Sequence, residues 1–453
     1  MARTKGILGG GLLVLIYLVA VVVSASPAHA MPSFARQTGQ PCAACHVGAF
    51  GPQLTDFGRD FKLNGYAWGG GSSLPPLSLM LQTGFTHTDK KVPAGAVQPG
   101  FSANDNASVN ELGLFYAGRI FSKGGAFVQG TYDGVAGRWA IDNVDVRAAD
   151  SFTLFGAPLV AGLNINNSPT VQDLWHTTPA WGHPLFGTPF MPSPAAATLI
   201  DGGLEQQVIG TGAYAQWNNL LYGEFALYQT LPGHWQKGLG VDIEGENQIS
   251  GVAPYWRLAL QRKIDQHYFS VGTFGLAASV YPGRDRTQGT DHLTDVAVDA
   301  TYQYLGDRHR ATFNLAYIHE DQSLGASFAL GNSANRSNTL NTFKATGTYH
   351  LDNTYGGSVQ FFRSWGSSDT GLYQPGELEG SANGSPNSSG YVLQLDWTPF
   401  GKADSYWSPW LNARFALQYT GYFQFNGGTH NYDGFGRNAS DNNTLFLLAW
   451  FAL

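Results

Sequence analysis

Two cysteines are the whole thiol complement of this 453-residue chain. They stand as Cys42-Ala43-Ala44-Cys45, and His46 follows at once. C-x-x-C-H is the attachment pattern of a c-type haem. The chemistry explains the spacing: two thiols add to the two haem vinyl groups, and the next imidazole reaches the iron from one face. Covalent attachment retains the cofactor even in a very small unit. A C-x-x-C pair has other readings: a structural disulfide, a redox couple or part of a zinc site. Zinc asks for further Cys or His ligands at set spacing, and none follow nearby. A redox couple belongs to a βαβ context, which is missing. The reading is therefore one haem c, bound by Cys42, Cys45 and His46, with His46 as the axial ligand of the haem iron.

The residues after the motif suit haem packing. Gly51-Pro52 is read as the opening of a helix, because Pro is favoured in a first turn. Phe50, Leu54, Phe57 and Phe61 then fall on one helical stripe, and Gly65 is a natural C-cap just past Asn64. Arg59 and Lys62 flank the stripe, in reach of haem propionates. The alternative is a stripe packed on the rest of the protein with both charges in water. For the sixth iron ligand the nearest side chains of suitable type are Met31, Met80, Met191 and His87, and none is singled out. Asp173, His176 and His183 offer a carboxylate and imidazoles to a transition metal, but at no standard spacing.

The surrounding chain must be exported for a haem to be attached. Arg3 and Lys5 precede an uncharged apolar stretch from Ile7 to Val23, and Ala28-His29-Ala30 supplies a small-x-small ending. That is a secretory signal peptide with cleavage after residue 30. An uncleaved anchor is the competing reading, since the stretch nearly reaches bilayer length.

Composition limits what the remainder can be. Charged residues make up 13% of the chain, about half the usual soluble share, while Gly reaches 58 residues and aromatics 13%. Hydrophobic residues are 43% and mean hydropathy is −0.15, too polar for a helical membrane protein. The aromatic content excludes a disordered chain. A net charge of −7 without a basic stripe excludes nucleic acid as a partner. What fits is a transmembrane β-barrel, in which alternate residues meet lipid and aromatics gather at the interfaces.

Period-two patterning supports this from about residue 74 onward. Val296, Val298, Ala300, Tyr302 and Tyr304 alternate with Asp295, Ala297, Asp299, Thr301 and Gln303. Strands are expected at about 75–88, 108–121, 124–135, 139–148, 157–166, 204–217, 220–230, 252–263, 267–281, 291–305, 308–321, 338–350, 353–366, 388–398, 409–424 and 441–453. Sixteen is an even number, as a single-chain barrel requires. Tight joints such as Asn218-Asn219 and Leu351-Asp352 alternate with long connections such as 89–107 and 167–203, the pattern of periplasmic turns and outer loops. The joint 136–138 is short where a long one is due. The last segment, Leu445 to Leu453, is apolar on both faces. Asp145, Arg147, Arg257, Asp295, Asp299 and Arg414 fall on the lumen face, where opposed charges would brace the wall.

The organisation read from these patterns is a signal peptide (1–30), a monohaem cytochrome c segment (31–72) with short helices, and an all-β, 16-stranded outer-membrane barrel (73–453). Met31-Pro-Ser-Phe-Ala-Arg-Gln-Thr-Gly39, Cys42-Ala-Ala-Cys-His46, Phe57-Gly58-Arg59, Phe61-Lys62 and Gly65-Tyr66 resemble the N-terminal haem segment of the fused outer-membrane cytochrome–porins, a family that includes the ferrous-iron oxidases of iron-oxidising bacteria. Asn166 to Asp173, Pro179 to Gly182 and Asp441 to Trp450 also look like stretches of that family, so the similarity spans the mature chain. The resemblance implies electron transfer from an extracellular donor, Fe(II) above all, through one haem to a periplasmic cytochrome or other carrier. It gives Cys42, Cys45 and His46 the haem-binding roles. The alternative function is a diffusion porin in which the haem segment is a plug; a soluble periplasmic cytochrome with a β-sandwich ranks third. No pattern for catalysis beyond redox chemistry stands out.

Overall fold

The computed structural model describes residues 32–70, 74–182, 185–407 and 410–453. The expected signal peptide (1–30), Met31 and His183 lie outside the described residues.

Three short helices come first: α1 (Pro32–Thr38), α2 (Cys42–Cys45) and α3 (Asp56–Leu63). The strands follow as β1 (Leu77–Thr88), β2 (Asn106–Phe121), β3 (Gly124–Asp133), β4 (Arg138–Leu154), β5 (Ala157–Asn166), β6 (Val208–Trp217), β7 (Leu221–Thr230), β8 (Gln248–Ile249), β9 (Ala253–Ile264) and β10 (His267–Tyr281). The series ends with β11 (Asp291–Leu305), β12 (His309–Ser323), β13 (Ser337–Leu351), β14 (Tyr355–Gly366), β15 (Ser388–Trp397), β16 (Asn412–Gln424) and β17 (Thr444–Ala452). The two residues of β8 pair with the end of β10 in line with β9, so the wall has sixteen strands. Each wall strand pairs antiparallel with its neighbours, and β1 closes the ring on β17 from Met80↔Ala452 to Thr88↔Thr444. Closure leaves no free edge, the condition for crossing a membrane with strands.

The alternation in the sequence becomes an inside and an outside. In β11, Asp295 and Asp299 point inward and are buried, while Val296 and Val298 are 47% and 48% exposed on the outer face. Leu258, Leu260, Val271, Val359, Leu393, Leu395 and Leu447 continue that exposed apolar band. An outward apolar band over a polar interior is the arrangement that lipid contact requires.

Sixteen strands lie where the periodicity predicts, with shifts of a few residues at the ends. The largest departure is β4, which runs to Leu154 rather than stopping near residue 148. Its ladder continues to Leu154↔Ala157, and Phe155 and Gly156 turn the chain with positive φ at both positions, the backbone of a tight hairpin. Asn218-Asn219 and Asp352-Asn353 make the same turn chemistry at the same barrel end. The short joint after β3 is also present, as residues 134–137.

Two segments fill the interior. The N-terminal helices occupy the short-turn end, touching the wall from β1 round to β16. The connection between β5 and β6, residues 167–207, folds inward from the long-loop end. The two meet inside: Lys62 Nζ donates to the carbonyls of Val171 and Asp173, both at 2.8 Å, and Tyr214 of the wall donates to the Leu63 carbonyl at 2.8 Å. This explains why β17 is apolar on both faces. Its inner residues Phe446, Leu448 and Trp450 pack on Phe50 and Phe186, not on water.

Candidate functional site

The C-x-x-C turn is built by local hydrogen bonds. Helix α2 spans Cys42 to Cys45, and the chain leaves it in extended form at His46. Thr55 ties this exit to the next helix. Its N–H donates to the Cys45 carbonyl at 2.9 Å and its hydroxyl donates to the Ala44 carbonyl at 2.5 Å. The same hydroxyl oxygen accepts from the Gly58 N–H at 3.2 Å, capping α3. Val47 N–H donates to the Gln53 carbonyl at 2.9 Å, and His46 bridges to Leu54. The motif and the start of α3 are therefore one compact unit.

The helix does not open at Gly51-Pro52. Gly48 and Gly51 have φ of +70° and +81°, so the chain turns twice before Thr55 caps α3 at Asp56. Phe50 and Leu54 precede the helix, and the four-residue stripe is not one helical face. Phe50 reaches the wall instead, edge-on to Trp450 with ring centroids 4.7 Å apart. Gly65 is found with φ +71° just after the C-cap Asn64, as expected.

The wall holds this unit at many points. Arg310 donates to the Ala43 carbonyl at 2.7 Å, Asn412 to the Ala49 carbonyl at 2.8 Å and Arg414 to the Gly48 carbonyl at 3.3 Å. Gly48 sits so close to His350 that a β-carbon would fall 2.3 Å from the ring. Tyr66 donates to Asp145 at 2.7 Å, and Arg147 donates to both oxygens of that carboxylate.

Cys42, Cys45 and His46 line one cavity of about 290 Å³. Its wall is mainly apolar and aromatic, with Phe34, Phe61, Phe115, Phe127, Trp181 and Trp450. Both thiols are unbridged, and they are only 8% and 7% exposed. Burial pushes the Cys45 thiol up to about 12 and the His46 imidazole down to about 4; the Gly51 backbone partly offsets the latter, and Arg414 adds to it. His46 is thus a neutral imidazole, the form that binds a metal. No disulfide and no zinc-type cluster occurs among the described residues. Two buried thiols on one helical turn, a neutral His beside them and an aromatic cavity in front suit a covalently held haem.

The other expected site residues divide. Lys62 lines the cavity, but its ammonium faces the inner loop and lies 3.9 Å from Asp145; burial lowers it to about 7, with Asp145 acting the other way. Arg59 turns to the wall, donating to Gln303 at 2.8 Å and lying over Tyr268 at 3.7 Å. Met80 lines the cavity. Met191 borders a different pocket near the long loops, and His87 pairs with Asp105 at 2.6 Å in the same region. Asp173 and His176 do not share a metal. Asp173 lies 3.3 Å from Arg257, whereas His176 turns into the cavity.

The six lumen charges are all buried, but bracing across the wall accounts for only part of them. Arg257 donates to Asp299 at 2.8 Å, and Arg414 lies 3.7 Å from Asp396. Asp295 instead accepts from the Ile200 N–H at 2.8 Å, and Glu320 from the Leu199 N–H at 2.5 Å. These carboxylates moor the inner loop. Nothing in the sequence links His176 to the Cys42–His46 cluster, because the two lie in separate segments with no shared periodicity.

No protein-family model and no curated protein matches the chain. Solved structures with similar architecture include the outer membrane channel DcaP of Acinetobacter baumannii, at 10% identity and TM-score 0.43 over 83% of this chain and 96% of that one. An anion-selective porin from Comamonas acidovorans aligns at 12% identity and TM-score 0.42, over 83% and 98% of the two chains. OccK2 of Pseudomonas aeruginosa, solved with glucuronate, aligns at 12% identity and TM-score 0.36, over 83% and 97%. What this chain has in common with them is architecture alone.

Proposed function

We propose that this chain is an outer-membrane barrel of porin type that holds one covalent haem in its lumen. In this role it passes electrons from an extracellular donor, Fe(II) foremost, to a periplasmic carrier. The observation that carries the reading is the convergence of Cys42, Cys45 and His46 on one aromatic cavity inside a closed barrel. The exposed apolar band supports membrane residence, and the short turns at the end holding the N-terminal helices support a periplasmic placement of that end.

A bound haem supplies reversible one-electron chemistry. The chain's own residues do the rest. Cys42 and Cys45 hold the group, His46 orients it, and Phe61, Trp181 and Trp450 keep water away. An apolar band ~25 Å tall is too thick for one haem to cross alone. The inner loop and the N-terminal unit fill the lumen around the site, so a periplasmic partner docking at the short-turn mouth completes the path.

The second reading is a diffusion porin plugged by the N-terminal unit. The porin-type wall with its long loops favours it. Haem spectra of purified outer membranes, recorded before and after adding Fe(II), separate the two. A covalent haem that Fe(II) reduces supports electron transfer. A barrel without haem that conducts ions in planar bilayers supports the porin.

A further inference from the structure

We infer that His176 is the second axial ligand of the haem iron, on the face opposite His46. This rests on the haem reading above. His176 belongs to the inner loop between β5 and β6, yet it lines the same cavity as Cys42, Cys45 and His46. Its ring is held in place, stacked on Trp181 with centroids 4.0 Å and planes 15° apart.

The hydrogen bonding assigns the tautomer. His176 Nδ1 meets the Pro52 carbonyl. A carbonyl only accepts, so Nδ1 carries the proton and the lone pair of the neutral ring sits on Nε2. A backbone carbonyl on Nδ1 is the partner that metal-bound histidines commonly have, because it fixes the ring and leaves Nε2 for the metal. Nε2 lies 3.1 Å from Lys62 Nζ, and Lys62 is itself on the cavity wall. Iron would take that place, and Lys62 would keep its two carbonyl acceptors on Val171 and Asp173.

The backbone points the same way. His176 has φ +54°, a left-handed conformation costly for a residue with a β-carbon. Such strain persists where the surroundings dictate a placement. Imidazole and thioether both ligate haem iron, so Met80 is the competitor. It sits on strand β1 and packs against the cluster of Phe50, Phe446 and Trp450, and its backbone has no such constraint.

The test uses purified full-length holoprotein, its low-temperature electron paramagnetic resonance and its near-infrared magnetic circular dichroism. The expected wild-type signature is low-spin iron with two imidazoles. His176→Ala should lose that signal, gain high-spin character and bind carbon monoxide, and added imidazole should restore the low-spin form. A histidine–methionine signature in the wild type overturns the assignment. So does a Met80→Leu variant that loses the low-spin signal while His176→Ala keeps it. If His176→Ala fails to assemble, the wild-type spectrum alone decides between the two signatures. Wild type without covalent haem sinks the parent reading, whereas haem with another ligand set sinks only this one.

Discussion

A β-carbon built on Gly58 would stand 2.3 Å from the carbonyl oxygen of Cys45. Helix α3 thus crosses the C-x-x-C turn at backbone contact, where only hydrogen fits. Gly58→Ala must push the helix off the turn, at an overpacking cost of about 1–3 kcal/mol. The expected result is fewer haems per barrel, measured by the alkaline pyridine spectrum against protein mass. An unchanged ratio would show that the close approach is dispensable.

Tyr66 anchors the far end of the same unit. Its hydroxyl donates to Asp145 inside the barrel, beside Arg147. Tyr66→Phe keeps the ring and its packing on Phe34 but removes one hydrogen bond to a charged acceptor, worth about 1.5–3 kcal/mol. Protease cleavage between residues 39 and 70 should accelerate in the variant while the wall stays resistant. Equal cleavage rates would contradict an anchoring role.

Asp173 and Arg257 tie the inner loop to the wall. Breaking a buried pair by removing one partner costs about 3–5 kcal/mol, so Arg257→Ala should release the loop. Acid should act in the same direction. Burial alone would raise the Asp173 carboxyl, but Arg257, the Trp175 N–H and Lys62 outweigh it and hold it below the ordinary aspartate range. The folded pKa lies below the unfolded one. Docking is therefore fully supported above the ordinary aspartate range and is lost as pH falls through the folded value. Fluorescence of Trp175 and its neighbours should report this acid transition in the wild type. Asp173→Asn should lack it, and a variant with the same acid transition would refute the assignment.

The filled lumen sets an electrical expectation. The full chain should pass little ionic current in a planar bilayer, and deleting residues 32–70 should raise conductance severalfold. A wild-type barrel that already conducts like an open channel would favour the diffusion porin and would count against an occluding N-terminal unit.

Much of the wall was legible in the sequence because its physics is local. Val296 and Asp295 fall on opposite faces for a reason visible in ten residues, and Asn218-Asn219 announces its own turn. The grouping of Cys42, Cys45 and His46 needed no fold to be seen, since the three are adjacent, and the haem they would hold stays a proposal. Phe50 misled because its spacing matched a helix that Gly48 and Gly51 prevent. In the sequence His176 stands out only as a metal candidate together with Asp173 and His183. Its contacts to Pro52 and Lys62 join residues 124 and 114 positions apart, and no periodicity reports a meeting of that kind. The apolar inner face of β17 was visible as an anomaly, and its cause became clear only with Phe50 and Phe186 packed against it.

The first wall strand begins at Leu77, a short span after the haem motif, and it seals the ring against the last strand, β17. Both thiols are almost inaccessible in the closed barrel. The order of biogenesis follows. Under the proposed haem reading, an attaching enzyme would have to reach Cys42 and Cys45 while β1 and β17 are still apart, and cofactor loading would come before membrane assembly. Barrels harvested without haem should then refuse it when it is supplied later, and should accept it only after being unfolded and refolded in its presence.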